Sequence, residues 1–243
     1  MTLRAVRVGD EWQAVDGDRV VGGMESWQTP DGRRSVSFGP CSPEAYSLLA
    51  AQVPGAVYTV VDAAEQRTLD VLADAGFSEL RIEDRILIPV HPLKAPVPDD
   101  LSLISAEDAD VEALMLLDCA LRQDVPGSDG WRPDLDWFRA QTFGSYFDPA
   151  TYLIAVDGER YVGLVRIWNG PRPEPRLGLI GVLPDYRRRG LARALLGAAF
   201  EPLLARGATE ATAEVDRSNV ASRTLMAQLG AVVTGSDVHL LRA

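Results

Sequence analysis

Two stretches of this chain are near-copies of each other, and that duplication limits the possible folds more than any other feature. Ala14-Val-Asp-Gly-Asp-Arg-Val-Val-Gly22 matches Ala155-Val-Asp-Gly-Glu-Arg-Tyr-Val-Gly163 at seven of nine positions. Each copy reads as strand, Asp-Gly turn, strand, because the Asp-Gly pair supplies the positive φ angles that a tight hairpin needs. A second match lies downstream: Val61-Asp62 sits fourteen residues before Gly76, and Val215-Asp216 fourteen before Gly230. Each glycine follows a helical pattern and suits a left-handed helix C-cap. Two matches in one order indicate a repeated unit. The first copy covers 1–91 and the second 99–243, joined by the linker 92–98. The segment from His91 to Asp100 carries three prolines, which favour an extended chain.

The copies differ where chemistry is expected. Pro40 and Asp62 are 22 residues apart, whereas Pro184 and Asp216 are 32 apart. The second copy therefore carries an insertion just after its central strand, where the first has Gly39-Pro-Cys-Ser-Pro43. The first copy is also expected to lack the strand and helices that open the second, and to hold no cofactor.

The inserted segment has a definite physical character. Leu177 to Leu183 is an apolar strand-like run ending at Pro184, and Asp185-Tyr-Arg-Arg-Arg-Gly-Leu-Ala192 follows it. Leu191, Ala194, Leu195, Ala198 and Ala199 then recur at helical spacing. A strand, a glycine-bearing loop and a helix N-terminus together form an anion site. The first helical N–H groups lack intrahelical partners, and the helix dipole favours negative charge there. Gly190 and Ala192 keep the approach open, and Arg187, Arg188 and Arg189 add positive charge. A pyrophosphate is the expected ligand group. Pro202 should kink or end this helix near Phe200.

Composition excludes other classes. With 47% hydrophobic residues the chain can build a core, while a net charge of −11 and a pI near 4.7 argue against phosphate-backbone binding, so no nucleic-acid partner is expected. No apolar run approaches the ~18 residues needed to span a bilayer, and no signal-peptide form opens the chain, so a soluble cytoplasmic protein without a membrane partner is expected. Cys41 and Cys119 form no CxxC, and His91 and His239 have no metal-ligand spacing, so no metal is expected. Neither GxxxxGK[ST] nor GxGxxG is present, against a P-loop NTPase or a dinucleotide-binding domain.

Arg187-x-x-Gly190-x-Ala192 resembles the [QR]xxGx[GA] acetyl-CoA motif of the GCN5-related N-acetyltransferase family. Val182-x-Pro184 before it, and Asn219 through Leu225 to Leu229-Gly230-Ala231 after it, are similar to the family's neighbouring segments. The duplicated layout resembles the family's tandem members, such as mycothiol synthases, with a degenerate N-terminal copy. The resemblance implies an α/β fold (mixed α+β), with a twisted, mostly antiparallel sheet flanked by helices in each half. It implies acetyl-CoA as co-substrate and acetyl transfer to the primary amine of a small molecule by direct attack in a ternary complex. Arg187, Arg188, Arg189, Gly190, Leu191 and Ala192 then bind the pyrophosphate, Ile180 and Val182 pair with the pantetheine arm, and Asn219 contacts that arm unless it only caps its helix. The backbone N–H of Val182 would stabilise the oxyanion. Many members place a tyrosine general acid four residues before the glycine of the second motif, but here that position is Met226.

A base must remove the proton of the attacking ammonium. Asp216 and Glu174 are candidates, each with a plain alternative: a turn carboxylate for Asp216 and an exposed loop residue for Glu174. Glu214 and His239 lie on strands of undetermined facing. The aromatic stretch from Gln123 to Phe147 either lines an acceptor pocket or packs in the core. Two other functions stay open, a protein or peptide N-acetyltransferase and a non-catalytic acyl-CoA-binding module, the latter because of Met226.

Overall fold

A computed structural model describes residues 3–170 and 173–243. In chain order the elements are β1 (Leu3–Val8), β2 (Glu11–Asp16), β3 (Arg19–Gln28), β4 (Arg34–Phe38), α1 (Pro43–Ala50), β5 (Val57–Asp62), α2 (Gln66–Asp74) and β6 (Ser78–Pro89). They continue as β7 (Ser102–Ser105), α3 (Val111–Arg122), α4 (Leu135–Thr142), β8 (Tyr152–Asp157), β9 (Arg160–Trp168), β10 (Arg176–Val182), α5 (Leu191–Ala205), β11 (Glu210–Asp216), α6 (Val220–Gln228) and β12 (Val232–Arg242). The protein has a mixed α/β fold with mostly antiparallel strands, and it divides into two compact units. One comprises Met1–Asp84 with Gly235–Ala243, the other Arg85–Thr234.

In the first unit β1, β2, β3 and β4 are successive antiparallel neighbours, and β5 lies parallel to β4. The Gly235–Arg242 part of β12 then runs antiparallel to β5, from Asp237 opposite Asp62 to Arg242 opposite Val57. Val238 and Leu240 of this strand join Met24, Leu49, Val57 and Leu72 in one core cluster, to which both α1 and α2 contribute. The C-terminal strand thus packs in the first unit, although by sequence it follows the second repeat. It does so because its alternate residues, Val238 and Leu240, complete that unit's apolar layer.

The second unit repeats the plan with additions. β7, β8, β9 and β10 are antiparallel neighbours, and β11 is parallel to β10. α5 covers one face through Leu191, Leu195, Ala199 and Phe200, and α3 and α4 cover the other through Leu114, Leu117, Leu121 and Phe138. No described helix is long and apolar enough to cross a membrane.

The duplication holds down to single hydrogen bonds. Gly17 and Gly158 turn the two hairpins at φ of 61° and 58°. Both hairpins carry a bulge at the same place, after Ala14 and after Ala155. Asp62 Oδ1 accepts from Ala64 N and Asp216 Oδ1 from Ser218 N, the same turn after the same strand. Gly76 and Gly230 both end a helix at positive φ, followed by Phe77 N to Leu72 O and Ala231 N to Met226 O.

Two expectations need correction. The first copy does keep an opening strand: β1 pairs with β2 as β7 pairs with β8. Only helices are missing, and a tight turn at Gly9 (φ 63°) replaces them. Pro202 does not stop α5, which continues to Ala205. The proline falls in the last turn, where the missing donor breaks a single helical bond and its carbonyl still accepts from Arg206 N.

In the first unit Glu83 accepts from His239 Nε2 at 3.0 Å and pairs with Arg81. Burial pushes its carboxyl up, but the hydrogen bonds from His239 and Arg81 outweigh that and lower its pKa from 4.5 to about 2. A carboxyl depressed in the folded state stabilises fully above its unfolded pKa and loses that contribution as pH falls through the folded one. Urea denaturation of Glu83→Gln should therefore give lower stability at neutral pH and a flatter dependence on pH between 4.5 and 2 than the parent.

Candidate active site

The site is built where β10 and β11 part. They are parallel neighbours paired at only one position, Arg176 opposite Thr212, with Thr212 N donating to Pro175 O at 2.8 Å. Beyond it β10 stays with β9, through a bulge between Leu177 and Leu179. Gly178 permits this: a Cβ there would come within 2.5 Å of the Trp168 ring. Gly181 permits the close approach of α3, since its Cβ would meet Leu121 at 3.0 Å.

The hydrogen-bond direction of β10 follows from its end. Leu183 N donates to Val162 O, toward β9. Successive strand amides point to opposite sides, so the N–H groups of Val182 and Ile180 point away from β9, into the opening beside β11. The Val182 carbonyl on that side is taken by Arg187, whose Nε donates to it at 2.9 Å. The opening therefore offers donors from strand backbone.

The loop after β10 continues the same chemistry. Arg187 N donates to Pro184 O and Ala194 N to Gly190 O, but the six amides of residues 188 to 193 make no hydrogen bond to a described residue. Arg188 has φ of 60° and Gly190, the N-cap of α5, has φ of 82°. Left-handed residues turn successive N–H groups into a concave anion nest at a helix N-terminus. Nothing lies within 4 Å of a Cβ built on Gly190, so the approach is open.

Each expected site residue has a definite place. Arg187 reaches back to Val182 and pairs with Asp124. Arg189 pairs with Asp100, whose carboxyl this contact holds below its usual range. Arg188 is exposed and forms no ion pair with a described residue. Leu191 is buried under the sheet while Ala192 is half-buried at the first turn. Asn219 Oδ1 accepts from Ser222 N at 3.0 Å and caps α6. Asp216 is buried, and its Oδ1 holds Ser218 N and Oγ. Glu214 is gripped by Arg176, with Nε at 2.9 Å. Glu174 is half-buried and makes no hydrogen bond to a described residue. His239 belongs to the first unit, where it pairs with Glu83. Met226 is buried in the core beneath α5.

On the α3 face a ladder of charge and aromatic rings went unread in the sequence. Arg166 and Trp168 alternate with Val165 and Ile167, which face α5. The Trp168 ring centroid lies 4.6 Å from the Arg166 guanidinium and 5.2 Å from that of Arg176. Arg166 is 4% exposed and bonds Asp118 at 3.3 Å, and Asp118 also takes Arg122 Nε at 2.6 Å. Arg122 in turn stacks on Trp131, which meets Trp137 edge-on. Burial pushes the Tyr152 hydroxyl of this face up to about 12. Asp118 sits four residues after Leu114 on the apolar stripe of α3, and a charge on a buried stripe is a signal of a buried partner. Part of the aromatic stretch packs in the core. Phe138, Phe143 and Phe147 join the core, whereas Trp137 and Tyr146 are exposed.

Among the described residues no group of three metal-ligating side chains occurs. The free amides, the strand donors and the glycine entrance fit a phosphate-bearing thioester such as acetyl-CoA.

Residues 115–231 match the model of the acetyltransferase (GNAT) family. The chain is similar to the mycothiol acetyltransferase of Streptomyces griseus, 27% identical over 73% of this chain and 57% of that protein. It is also similar to that of Acidimicrobium ferrooxidans, 28% identical over 90% and 73%. The chain thus spans little more than half the length of the Streptomyces relative. Among solved structures, a GCN5-related N-acetyltransferase from Sphaerobacter thermophilus superposes with a TM-score of 0.72 at 19% identity, covering 97% of this chain and 81% of that one. A tandem GNAT protein from the clavulanic acid biosynthesis pathway gives 0.68 at 15%, covering 95% and 81%.

The buried Asp118–Arg166 pair on the α3 face can be tested by substitution. Removing one partner of a buried ion pair leaves an uncompensated charge, at a cost of about 3–5 kcal/mol. Asp118→Ala should show that loss in chemical denaturation, while Asp124→Ala, at an exposed pair, should lie within about 1 kcal/mol of the parent.

Proposed function

We propose, on the premise that residues 115–231 form a domain of the acetyltransferase (GNAT) family, that this chain transfers an acetyl group from acetyl-CoA to a primary amine of a small molecule. The observation that carries the proposal is the parting of β10 from β11 beside a loop with six uncommitted amides. When bound, acetyl-CoA supplies an acyl group activated as a thioester, with a thiolate as leaving group.

The chain's own residues then have separable tasks. The amides of residues 188 to 193 and the dipole of α5 bind the pyrophosphate, and the Arg188 side chain adds charge without giving up a partner. Arg187 acts as a positioning residue, because its guanidinium fastens the loop to the Val182 carbonyl. That contact leaves the Val182 and Ile180 N–H groups aimed at the pantetheine arm and the acetyl carbonyl. A backbone N–H aimed at a developing oxyanion strengthens as charge builds, and so favours the transition state over the ground state. Asn219 spends its Oδ1 on the cap of α6 and keeps its amide Nδ2 for the arm.

Proton handling follows from what is already committed. Asp216 holds the β11–α6 turn and Glu214 is bound to Arg176, so both carboxylates are spent on structure. Glu174 is the uncommitted carboxylate of the three; it precedes β10, eight residues before Val182, and we assign it the proton of the attacking ammonium through a chain of several waters. Met226 donates no proton, and none is required: a thiol of pKa about 8.5 leaves as thiolate near neutral pH. A small acceptor is favoured over a protein by the names of the relatives, which are mycothiol acetyltransferases.

Titration calorimetry with acetyl-CoA should find one site per chain, weakened at least tenfold by Gly190→Asp with folding retained. No binding by the parent would remove the enzyme reading altogether. With an amine that is turned over, release of free thiol should follow a pH profile whose acidic limb disappears in Glu174→Gln and persists in Glu214→Gln. The reverse pattern would move the proton acceptor to Glu214.

A further inference from the structure

The α3 face of the second unit leaves two buried donors without an acceptor. Tyr152 of β8 and Arg166 of β9 are direct cross-strand partners, and their side chains stand together on this face. The Tyr152 hydroxyl and the Arg166 Nε are both buried, and neither makes a hydrogen bond to a described residue. Tyr152 is 1% exposed and Arg166 4%. Burial keeps the phenol proton in place, with a pKa of about 12, so the hydroxyl is a donor at neutral pH.

The two groups cannot satisfy each other. The Arg166 guanidinium lies 5.7 Å from the centroid of the Tyr152 ring, and a guanidinium only donates, so it cannot take the phenol proton. Its one ion pair among the described residues is with Asp118, and Asp118 is shared with Arg122. Two guanidinium groups thus draw on a single carboxylate. Buried donors without partners are costly and rare. A phenylalanine would fill the place of Tyr152 without that cost. The missing partner is a group that accepts twice, donates nothing and carries negative charge, which describes a carboxylate.

The place is within reach of the chemistry. Arg166 is opposite Leu179 on β10, and Val182, three residues further on, is opposite Gly163. At about 3.3 Å per strand residue, the two positions lie about 10 Å apart along β10. Trp168 and Arg176 continue the row from Arg166 and are only half-buried, so the row runs from the interior to the surface.

We infer that Tyr152 and Arg166 receive the carboxylate of the acceptor, which is a primary amine carrying that carboxylate at the far end of a short chain. What happens to the amine rests on the acetyl-transfer reading above, whereas the place of the carboxylate rests on the two donors.

The test is ligand-detected NMR on the full chain, with 6-aminohexanoate as probe and 6-aminohexanamide as its uncharged counterpart. The carboxylate should bind at least tenfold more tightly than the amide. Tyr152→Phe removes the hydroxyl alone. It should weaken 6-aminohexanoate several-fold, leave the amide unchanged and unfold at no lower temperature than the parent. Equal binding of the two probes, no binding of either, or carboxylate binding untouched by Tyr152→Phe would overturn the inference, the last because a buried water would then serve the donors. The two readings fail separately. Acetyl-CoA binding without a preference for the carboxylate would sink this site and spare acetyl transfer. Carboxylate binding that depends on Tyr152, in a chain that binds no acetyl-CoA, would do the reverse.

Discussion

The second unit depends on a pair of parallel strands that touch at one end and are kept apart at the other. Left alone, β10 and β11 would pair along their length, because unmatched strand amides in a protein interior cost about 1–3 kcal/mol each. Three contacts hold the gap. The Trp168 ring fits over Gly178 at the bulge, Leu121 of α3 presses on Gly181, and Arg187 takes the carbonyl of Val182. Each acts on β10 alone and directs its free donors at the space where β11 would have been. The result is a strand edge enclosed by packing and open to an extended ligand, the arrangement by which proteins bind a linear molecule as an added strand.

The two copies show which parts of such a unit are structural and which are adjustable. Retained in both are the bulged hairpin, the aspartate that turns the chain after the inner parallel strand, and the left-handed glycine after the next helix. These features determine the path of the backbone. The loop after the central strand is different: in one copy Gly39 N and Ser42 N are bound to the neighbouring strand, and in the other the amides of residues 188 to 193 make no hydrogen bond to a described residue.

Much of this was legible from residue order because it rests on local rules. The Asp-Gly hairpins, the glycine at the α5 N-cap and the period of α5 all depend on backbone conformation or helical spacing, and the structure has them where the sequence places them. What escaped depends on distant partners. Nothing near Val238 and Leu240 tells which apolar layer they complete, so the last strand could not be assigned to the first unit. β1 was missed because Val-Arg alternation in a short run is a weak signal without its partner β2. Asp118 and Arg166 lie 48 residues apart, and each looks misplaced in an apolar element until the other is seen. Among the site residues, the loop positions were readable, but the commitment of Asp216 to its turn and of Arg187 to Val182 was not. Motif spacing locates the loop along the chain and leaves open which of its atoms are already spoken for.

The pairing of β5 with β12 has a consequence in time. On a translating ribosome the chain emerges in order, at about 5–20 residues per second, and domains usually fold as they appear. The first unit cannot follow that rule. Until residue 242 is clear of the exit tunnel, the Val57–Asp62 edge has no strand to pair with and the core lacks Val238 and Leu240. The first unit is therefore completed only after the second has been synthesised, and until then its Val57–Asp62 edge stays open.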